Sequence, residues 1–220
     1  MDLTDVPLTK KTNKPTRPLL AELCSALLAK NIPDAERIIT AIASCETAQR
    51  EEFGCEHDHF KLIGQDNFRR YLPFENVRVR VHVADSAFEI FTRVCAAHIA
   101  VCGVTISTPP DLKSPTISLL EELTESWAGA IEFVEETDDE LATAIREKQI
   151  DRVRFATTDR VPPVVLQAGN EAGGCVISTP VSGEGRLEML WYVREQSIST
   201  DYHRYGNLGI RADETRADVL

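Results

Sequence analysis

The sequence has no apolar run long enough to cross a bilayer, and its N-terminus, MDLTDVPLTKK, lacks the apolar centre of a signal peptide. Cations are scarce: 24 Lys and Arg against 35 Asp and Glu give a net charge of −11, which argues against nucleic-acid binding through a general basic surface. The six cysteines form no C-x-x-C pair and mostly lie in apolar periodic segments, as reduced thiols do. We therefore expect a cytoplasmic protein with no membrane span and no nucleic-acid partner.

A glycine-rich phosphate loop is missing as well. The dinucleotide fingerprint G-x-G-x-x-G follows the first strand of its fold, and the corresponding segment here, 83–88, contains no glycine. The glycine groups at 169–174 and 183–185 fall at a helix end and in a loop, where they indicate chain turns. The sequence thus predicts no dinucleotide site of the glycine-rich type.

A repeated strand–helix pattern dominates the centre of the chain. Val77, Val79 and Val81 alternate with polar residues, the period of a strand, and apolar residues then recur every three or four positions over 88–102. Further short strands are expected at 104–107, 131–133, 153–155 and 175–177, with a helix between each strand and the next; the one before 153–155 opens with a capping box, TDDE at 137–140. This order predicts an α/β fold with a five-stranded, mostly parallel Rossmann-like sheet.

The chain divides into four segments on composition and period. Residues 1–18 are polar and rich in proline, which indicates a flexible arm, and 19–59 carry two leucine- and isoleucine-rich helical stripes, which predict a helical hairpin and linker. The Rossmann-like domain is expected over 60–182, and a C-terminal flap and tail over 183–220.

Cys55, His57 and His59 have the chemistry of ligands for zinc or iron. Their spacing is unsuitable, because residues two apart converge only on an extended segment and no second ligand pair follows. We interpret this stretch as a polar connecting loop and expect no metal site.

Two strand ends carry hydroxyl groups, STP at 107–109 and STP at 178–180. Open α/β sheets bind ligands at this edge, so a crevice for a small ligand is one interpretation. The other is that the hydroxyls cap strand ends beside prolines, and the local pattern favours it.

The order of these strand-end motifs resembles the cofactor domain of the aldehyde dehydrogenase superfamily, which does not use G-x-G-x-x-G. In that family the strands lead into P-W-N-F-P-like, V-L-K-P, F-T-G-S and E-L-G-G motifs. The corresponding segments here are ADSAF at 84–88, ISTP at 106–109, FATT at 155–158 and ISTP at 177–180. The resemblance implies that the chain keeps the fold of this family and lacks its catalytic and cofactor-binding residues.

The resemblance marks degenerate cofactor positions at Thr108, Thr157 and Thr158. Thr108 stands in the place of the lysine that grips the adenosine ribose, and Ala156-Thr157 replaces the Thr-Gly pair, which adds bulk where backbone should approach the cofactor. The oxyanion asparagine, the glutamate base and a cysteine in a G-Q-x-C setting are all missing. The resemblance therefore implies no catalytic residue, no bound NAD or FAD, and no activity by this chain alone.

Over roughly residues 19–212 the chain is similar to the C-terminal, non-catalytic region of proline utilization A. The segments that carry this similarity are 64–73, 121–130, 185–199 and 202–209. That family joins an FAD-dependent proline dehydrogenase to an NAD-dependent L-glutamate γ-semialdehyde (1-pyrroline-5-carboxylate) dehydrogenase. The resemblance implies a domain that covers the dehydrogenase catalytic domain, in cis or as a separate chain, and mediates assembly.

The tail is expected to project as a flap with apolar groups on both sides, which needs another surface to cover it. A helix over 187–196 and a terminal strand closing on its own domain are the alternatives. As a projecting flap it would mediate self-association or docking, and its removal (186–220) would leave the α/β domain folded. The expected interface residues are Trp191, Tyr192, Arg194, Gln196, Tyr202, His203, Tyr205 and Asn207. The alternative function is an independent module that binds a small ligand or nucleotide.

Overall fold

The structure is a computed structural model that describes residues 17–127, 129–203 and 209–214. Most of the expected N-terminal arm, 1–18, therefore lies outside the described residues. No helix in the described ranges is long and apolar enough to cross a membrane.

The helices and strands follow the predicted alternation, with short π and 3₁₀ turns between some of them. The helices are α1 (Pro18–Ala29), α2 (Ala35–Ala48), α3 (Ala87–Ile99), α4 (Pro115–Thr124), α5 (Asp138–Arg146), α6 (Pro163–Glu171) and α7 (Gly185–Glu188). The strands are β1 (Gln65–Pro73), β2 (Asn76–Arg80), β3 (Gly103–Thr108), β4 (Ile131–Glu135), β5 (Arg152–Arg154), β6 (Val176–Ile177) and β7 (Val193–Asp201).

Five of the strands form one sheet in the order β4-β3-β2-β5-β6, and every pair in it is parallel. The predicted five-stranded Rossmann-like sheet is confirmed, with all strands parallel where the sequence indicated most of them. The chain runs outward from β2 through β3 to β4 and then returns to β5 on the other side of β2. The strand order therefore reverses between β2 and β5, and this is the point at which such sheets bind ligands.

Two helices that flank the sheet, α3 and α5, begin at capping boxes encoded in the sequence. In α5, the Thr137 side chain accepts from the Glu140 backbone N–H while the Glu140 carboxylate accepts from the Thr137 backbone N–H, so the predicted capping box is present. An equivalent box formed by Ser86 and Glu89 opens α3. Each box satisfies backbone donors that the first turn of a helix leaves free.

One hydrophobic core joins the helical hairpin to the sheet. Leu20 and Leu27 of α1 and Ile38 of α2 are fully buried in the same cluster as Val79 of β2 and Phe91 of α3. A second, smaller cluster lies between α5, α6 and β5. The apolar face of the hairpin is thus covered by the α/β part of the same chain.

The tail differs from the expected flap in its first half. Residues 185–191 form helical turns, and Met189 is fully buried, so the expectation of a projecting flap is wrong for this stretch. The strand begins at Val193, and β7 pairs antiparallel with β1 from Pro73↔Val193 to Gln65↔Asp201. These two strands form a ribbon separate from the five-stranded sheet.

Candidate functional site: the crevice between β2 and β5

The candidate site lies where the strand order reverses, at the carboxyl ends of β2 and β5. Two segments meet there: the turn that joins β2 to α3, and the loop that follows β5 and contains a 3₁₀ turn at Thr158–Arg160. In a parallel sheet this edge is concave, and the N-terminus of the following helix points into it.

A buried arginine from α3 reaches this edge. Arg93 has no exposed surface, and one of its nitrogens donates to the Arg80 carbonyl at 2.8 Å and to the Arg154 carbonyl at 3.0 Å. These carbonyls end β2 and β5, so the Arg93 guanidinium bridges the two strands. Its other terminal nitrogen donates to the Asp85 carboxylate at 2.5 Å.

Asp85 is the centre of an ion-pair cluster that closes over the crevice. Its carboxylate is fully buried, and its second oxygen accepts from Arg160 at 2.7 Å. Arg160 also donates to Glu89 at 3.0 Å, and Glu89 in turn accepts from the backbone of Ser86 at the start of α3. Two guanidinium groups and two carboxylates of this chain thus occupy the edge, and charge-assisted bonds hold them in place.

A second buried ion pair fixes the tail beneath the crevice. Arg154 and Glu188 have no exposed side-chain surface and form two bonds, of 3.1 and 3.0 Å. The Tyr192 hydroxyl donates to Glu188 at 2.9 Å, and the Ser182 backbone N–H donates to it at 3.0 Å. Burial, together with the charge of Glu188, raises the pKa of Tyr192 well above its usual range, so this hydroxyl stays a donor.

An open cavity of about 540 Å³ lies beside the cluster. The Arg37 guanidinium lies 3.7 Å from the centre of the Phe88 ring at its border, a cation–π arrangement. Its lining residues are Arg37, Ser86, Phe88, Glu89, Thr157, Pro180 and Val181.

The degenerate cofactor positions are only partly brought together. Thr158 lies beside β6, 3.2 Å from the Ser178 hydroxyl, and Thr157 lines the cavity. Thr108 lies at the end of β3, on the other side of β2, and its hydroxyl donates to the Val134 carbonyl at 3.4 Å. The two STP segments therefore lie at two separate places along the sheet edge, one after β6 and one at the end of β3.

Sequence reasoning missed the charged groups that fill the crevice, Asp85, Arg93 and Arg160. One signal was present: Arg93 falls among apolar residues on the inner face of α3, where an unpaired charge would be costly. Its counterion, Asp85, lies eight positions earlier in the turn before α3, and Arg160 joins that carboxylate from a distant segment, so the signal indicates a buried pair without identifying the whole cluster.

Cys55, His57 and His59, for which the sequence predicts no metal site, lie in a polar segment beside Arg50 and Glu52. The rings of His57 and His59 stack with centroids 5.3 Å apart, and the Cys55 Sγ donates to the Arg50 carbonyl at 3.2 Å. His57 Nε2 lies 3.0 Å from the Glu52 carbonyl. Across the described part of the chain, no group of three or more His, Cys, Asp or Glu side chains is arranged to hold a metal ion.

The expected interface residues occupy different environments. Tyr192 is fully buried within its own chain and has no surface to offer a partner, and Trp191 is half-buried. On β7, Arg194 is exposed and Gln196 accepts from Arg70 at 2.7 Å. Tyr202 lies under the Arg211 guanidinium and His203 lies against Gly64, whereas Tyr205 and Asn207 lie outside the described residues.

No protein-family model matches the sequence, and no curated protein matches it. Among solved structures, proline utilization A from Corynebacterium freiburgense is similar with a TM-score of 0.51 and 21% identity, over 90% of this chain and 16% of that chain. Staphylococcus aureus AldH, in a substrate-bound state, is similar with a TM-score of 0.50 and 18% identity, over 72% of this chain and 39% of that one. The chain thus has an aldehyde-dehydrogenase-like fold and spans a small part of these structures, as the sequence resemblance predicted.

Proposed function

We propose that this chain is a non-catalytic, aldehyde-dehydrogenase-like domain or fragment of a proline-catabolic L-glutamate γ-semialdehyde dehydrogenase. It covers the catalytic region of that enzyme and mediates assembly. The observation that carries the proposal is the filled crevice: the Asp85 carboxylate binds both Arg93 and Arg160 at the edge where this fold would take a cofactor.

The filled crevice weighs against cofactor binding on energetic grounds. A dinucleotide entering between β2 and β5 would have to separate buried ion pairs, and removing one partner of such a pair costs about 3–5 kcal/mol. At the position of Thr108 a dinucleotide would lack the lysine that binds its ribose. At Thr157 it would meet a side chain where the family has exposed backbone. The proposal therefore includes no NAD bound by this chain.

The thiols support the non-catalytic part of the proposal. Burial raises the pKa of Cys24 and of Cys102 to about 12, and it raises the pKa of Cys45 and Cys95 as well. A thiol attacks a carbonyl as the thiolate, which these four cysteines do not form near neutral pH. Burial also raises the pKa of Cys175, which directly precedes β6, the outermost strand on that side of the sheet.

The activity test uses the purified chain with NAD and L-glutamate γ-semialdehyde. We expect no NADH above the background of a no-protein control. Turnover that disappears when a single cysteine, such as Cys55 or Cys175, is replaced by alanine would contradict the proposal.

The assembly test mixes the chain with a dehydrogenase catalytic domain of the proline utilization A type and measures complex formation by light scattering after gel filtration. The expected result is a complex of the two chains. Two separate peaks at every concentration tested would contradict the docking role.

The cavity beside Thr157 favours a second candidate, an independent module for a small ligand or nucleotide. Its volume of about 540 Å³ falls in the range of small-molecule sites, and Arg37 places a cation at its border. Nucleotide binding by the isolated chain that is lost in Thr157→Trp would favour this module over the assembly role.

A further inference from the structure

Strand β4 forms an edge of the five-stranded sheet that no strand of the described ranges covers. The sheet ends in β4 on one side and on the other in β6, which is only two residues long. Strand β4 runs over five residues and pairs with β3 alone. A strand edge of this kind is a template for pairing with another extended segment.

One hydrogen bond at the end of β4 shows which of its backbone groups point outward. The Glu136 N–H donates to the Thr108 carbonyl at 3.0 Å. Because backbone groups alternate in direction along a strand, the even-numbered residues of β4 bond to β3. The odd-numbered ones, Ile131, Phe133 and Glu135, therefore turn their N–H and C=O groups away from β3, where no described group bonds to them.

A cavity of about 310 Å³ opens beside this edge, between α4 and β4. Ile131 and Phe133 form its apolar wall, and Phe133 is only half-buried. The opposite rim comes from α4 and the 3₁₀ turn after it, and carries three glutamates, Glu121, Glu122 and Glu125. Since side chains alternate across a strand, a segment added to β4 would direct every second side chain to the face on which this cavity lies.

The charge around the edge is negative. Four exposed glutamates that form no ion pair with a described residue flank it: Glu121, Glu125, Glu132 and Glu135. Glu122, on the same rim, accepts from the Lys30 ammonium group at 2.8 Å. A lysine or arginine suits this cavity, because its aliphatic stem can lie on the apolar wall while its charged end reaches the carboxylates.

We propose that the β4 edge binds an extended, basic segment of a partner protein, which joins the sheet as a sixth strand and places a lysine or arginine in the cavity. In recognition of this kind, main-chain bonds provide affinity and pockets for alternate side chains provide specificity. A second copy of this chain fits the edge less well, because it would bring its own glutamates to it. The proposal goes beyond the assembly role and does not depend on it.

The probe is a fluorescently labelled peptide of alternating lysine and valine, about eight residues long, and fluorescence anisotropy measures its binding to the full chain. We expect saturable binding that weakens as salt is added. Two analogues should bind at least about tenfold more weakly: one with glutamate in place of lysine, which reverses the charge, and one methylated at every backbone nitrogen, which removes the backbone donors.

A pair of double variants locates the site. Glu121→Gln with Glu125→Gln removes two charges from the rim and should weaken binding of the lysine peptide at least about fivefold. Glu147→Gln with Glu171→Gln is the matched control. It removes two exposed charges beside α5 and α6, at the other end of the sheet, and should bind like the native chain. Circular dichroism confirms that both variants are folded.

Three results would overturn the proposal. The first is no binding of the lysine peptide, and the second is equal loss of binding in the two double variants, which would indicate general attraction to an acidic surface. The third is equally tight binding of an uncharged analogue with glutamine in place of lysine, since the edge would then take any strand, a second copy included. None of these measurements uses the dehydrogenase catalytic domain, so failure of the assembly test would leave the β4 site standing.

Discussion

At the scale of single residues, the fold depends on buried charged side chains, each of which needs a partner of opposite charge. Glu188 is fully buried, and its two oxygens together accept from Arg154, Tyr192 and the Ser182 backbone. Such a pair contributes little net stability compared with a well-packed apolar core, but breaking it leaves a buried charge without a counterion.

Glu188→Gln should therefore lower the free energy of unfolding by about 3–5 kcal/mol, because the Arg154 guanidinium stays buried without its carboxylate. Urea denaturation monitored by circular dichroism measures the change. Glu171→Gln is the matched control: it breaks the exposed Arg146–Glu171 pair and should cost less than about 1 kcal/mol. Equal losses in the free energy of unfolding for the two variants would show that burial does not make the Arg154–Glu188 pair more costly to break.

At the scale of elements, the tail is held by a close contact between α7 and α2. The Gly185 N–H donates to the Ser44 hydroxyl at 2.8 Å, and a Cβ added at Gly185 would collide with the backbone of Ser44 and Cys45. Only glycine allows these two helices to approach this closely without a shift.

Gly185→Ala should cost about 1–3 kcal/mol, the usual range for overpacking, because α7 has to move away from α2 and disturb the Arg154–Glu188 pair. The effect is measured as a lower Tm with unchanged secondary-structure content. Arg186→Ala, in the same helix but exposed, should change stability by less than about 1 kcal/mol. A Gly185→Ala protein as stable as the native one would show that the α2–α7 contact is not tight.

The elements also show how far the sequence could predict the structure. The sheet strands and the α5 cap were predictable because alternation such as Val77, Val79 and Val81, and a capping box, are local signals. Strand β1 was missed because its side chains are all half-buried and its partner, β7, lies more than a hundred positions later in the sequence. The crevice cluster was missed for the same reason, since Asp85 and Arg160 meet only after the sheet has formed.

At the scale of the whole molecule, the hairpin, sheet and tail share one core. Met189, Tyr192 and Val193 belong to the same buried cluster as Leu20 and Phe91. The structure argues against the expectation that residues 186–220 can be removed without unfolding the α/β domain, because that deletion removes core residues and the counterion of Arg154.

Deleting 186–220 should abolish cooperative unfolding, because a core with these gaps loses its fixed packing. Thermal unfolding followed by near-ultraviolet circular dichroism is the measurement. A chain ending at residue 203 keeps α7, β7 and Tyr192 and should unfold cooperatively. Cooperative unfolding of the 186–220 deletion would mean that the tail packs on a domain that is stable without it.

Asp85, Arg93 and Arg160 occupy the crevice between β2 and β5, and we therefore expect that it does not take a dinucleotide. Isothermal titration calorimetry of the full chain with NAD tests it most directly. We expect a dissociation constant weaker than about 1 mM, which corresponds to a binding free energy of no more than about 4 kcal/mol in magnitude. Saturable binding of NAD in the micromolar range would contradict it.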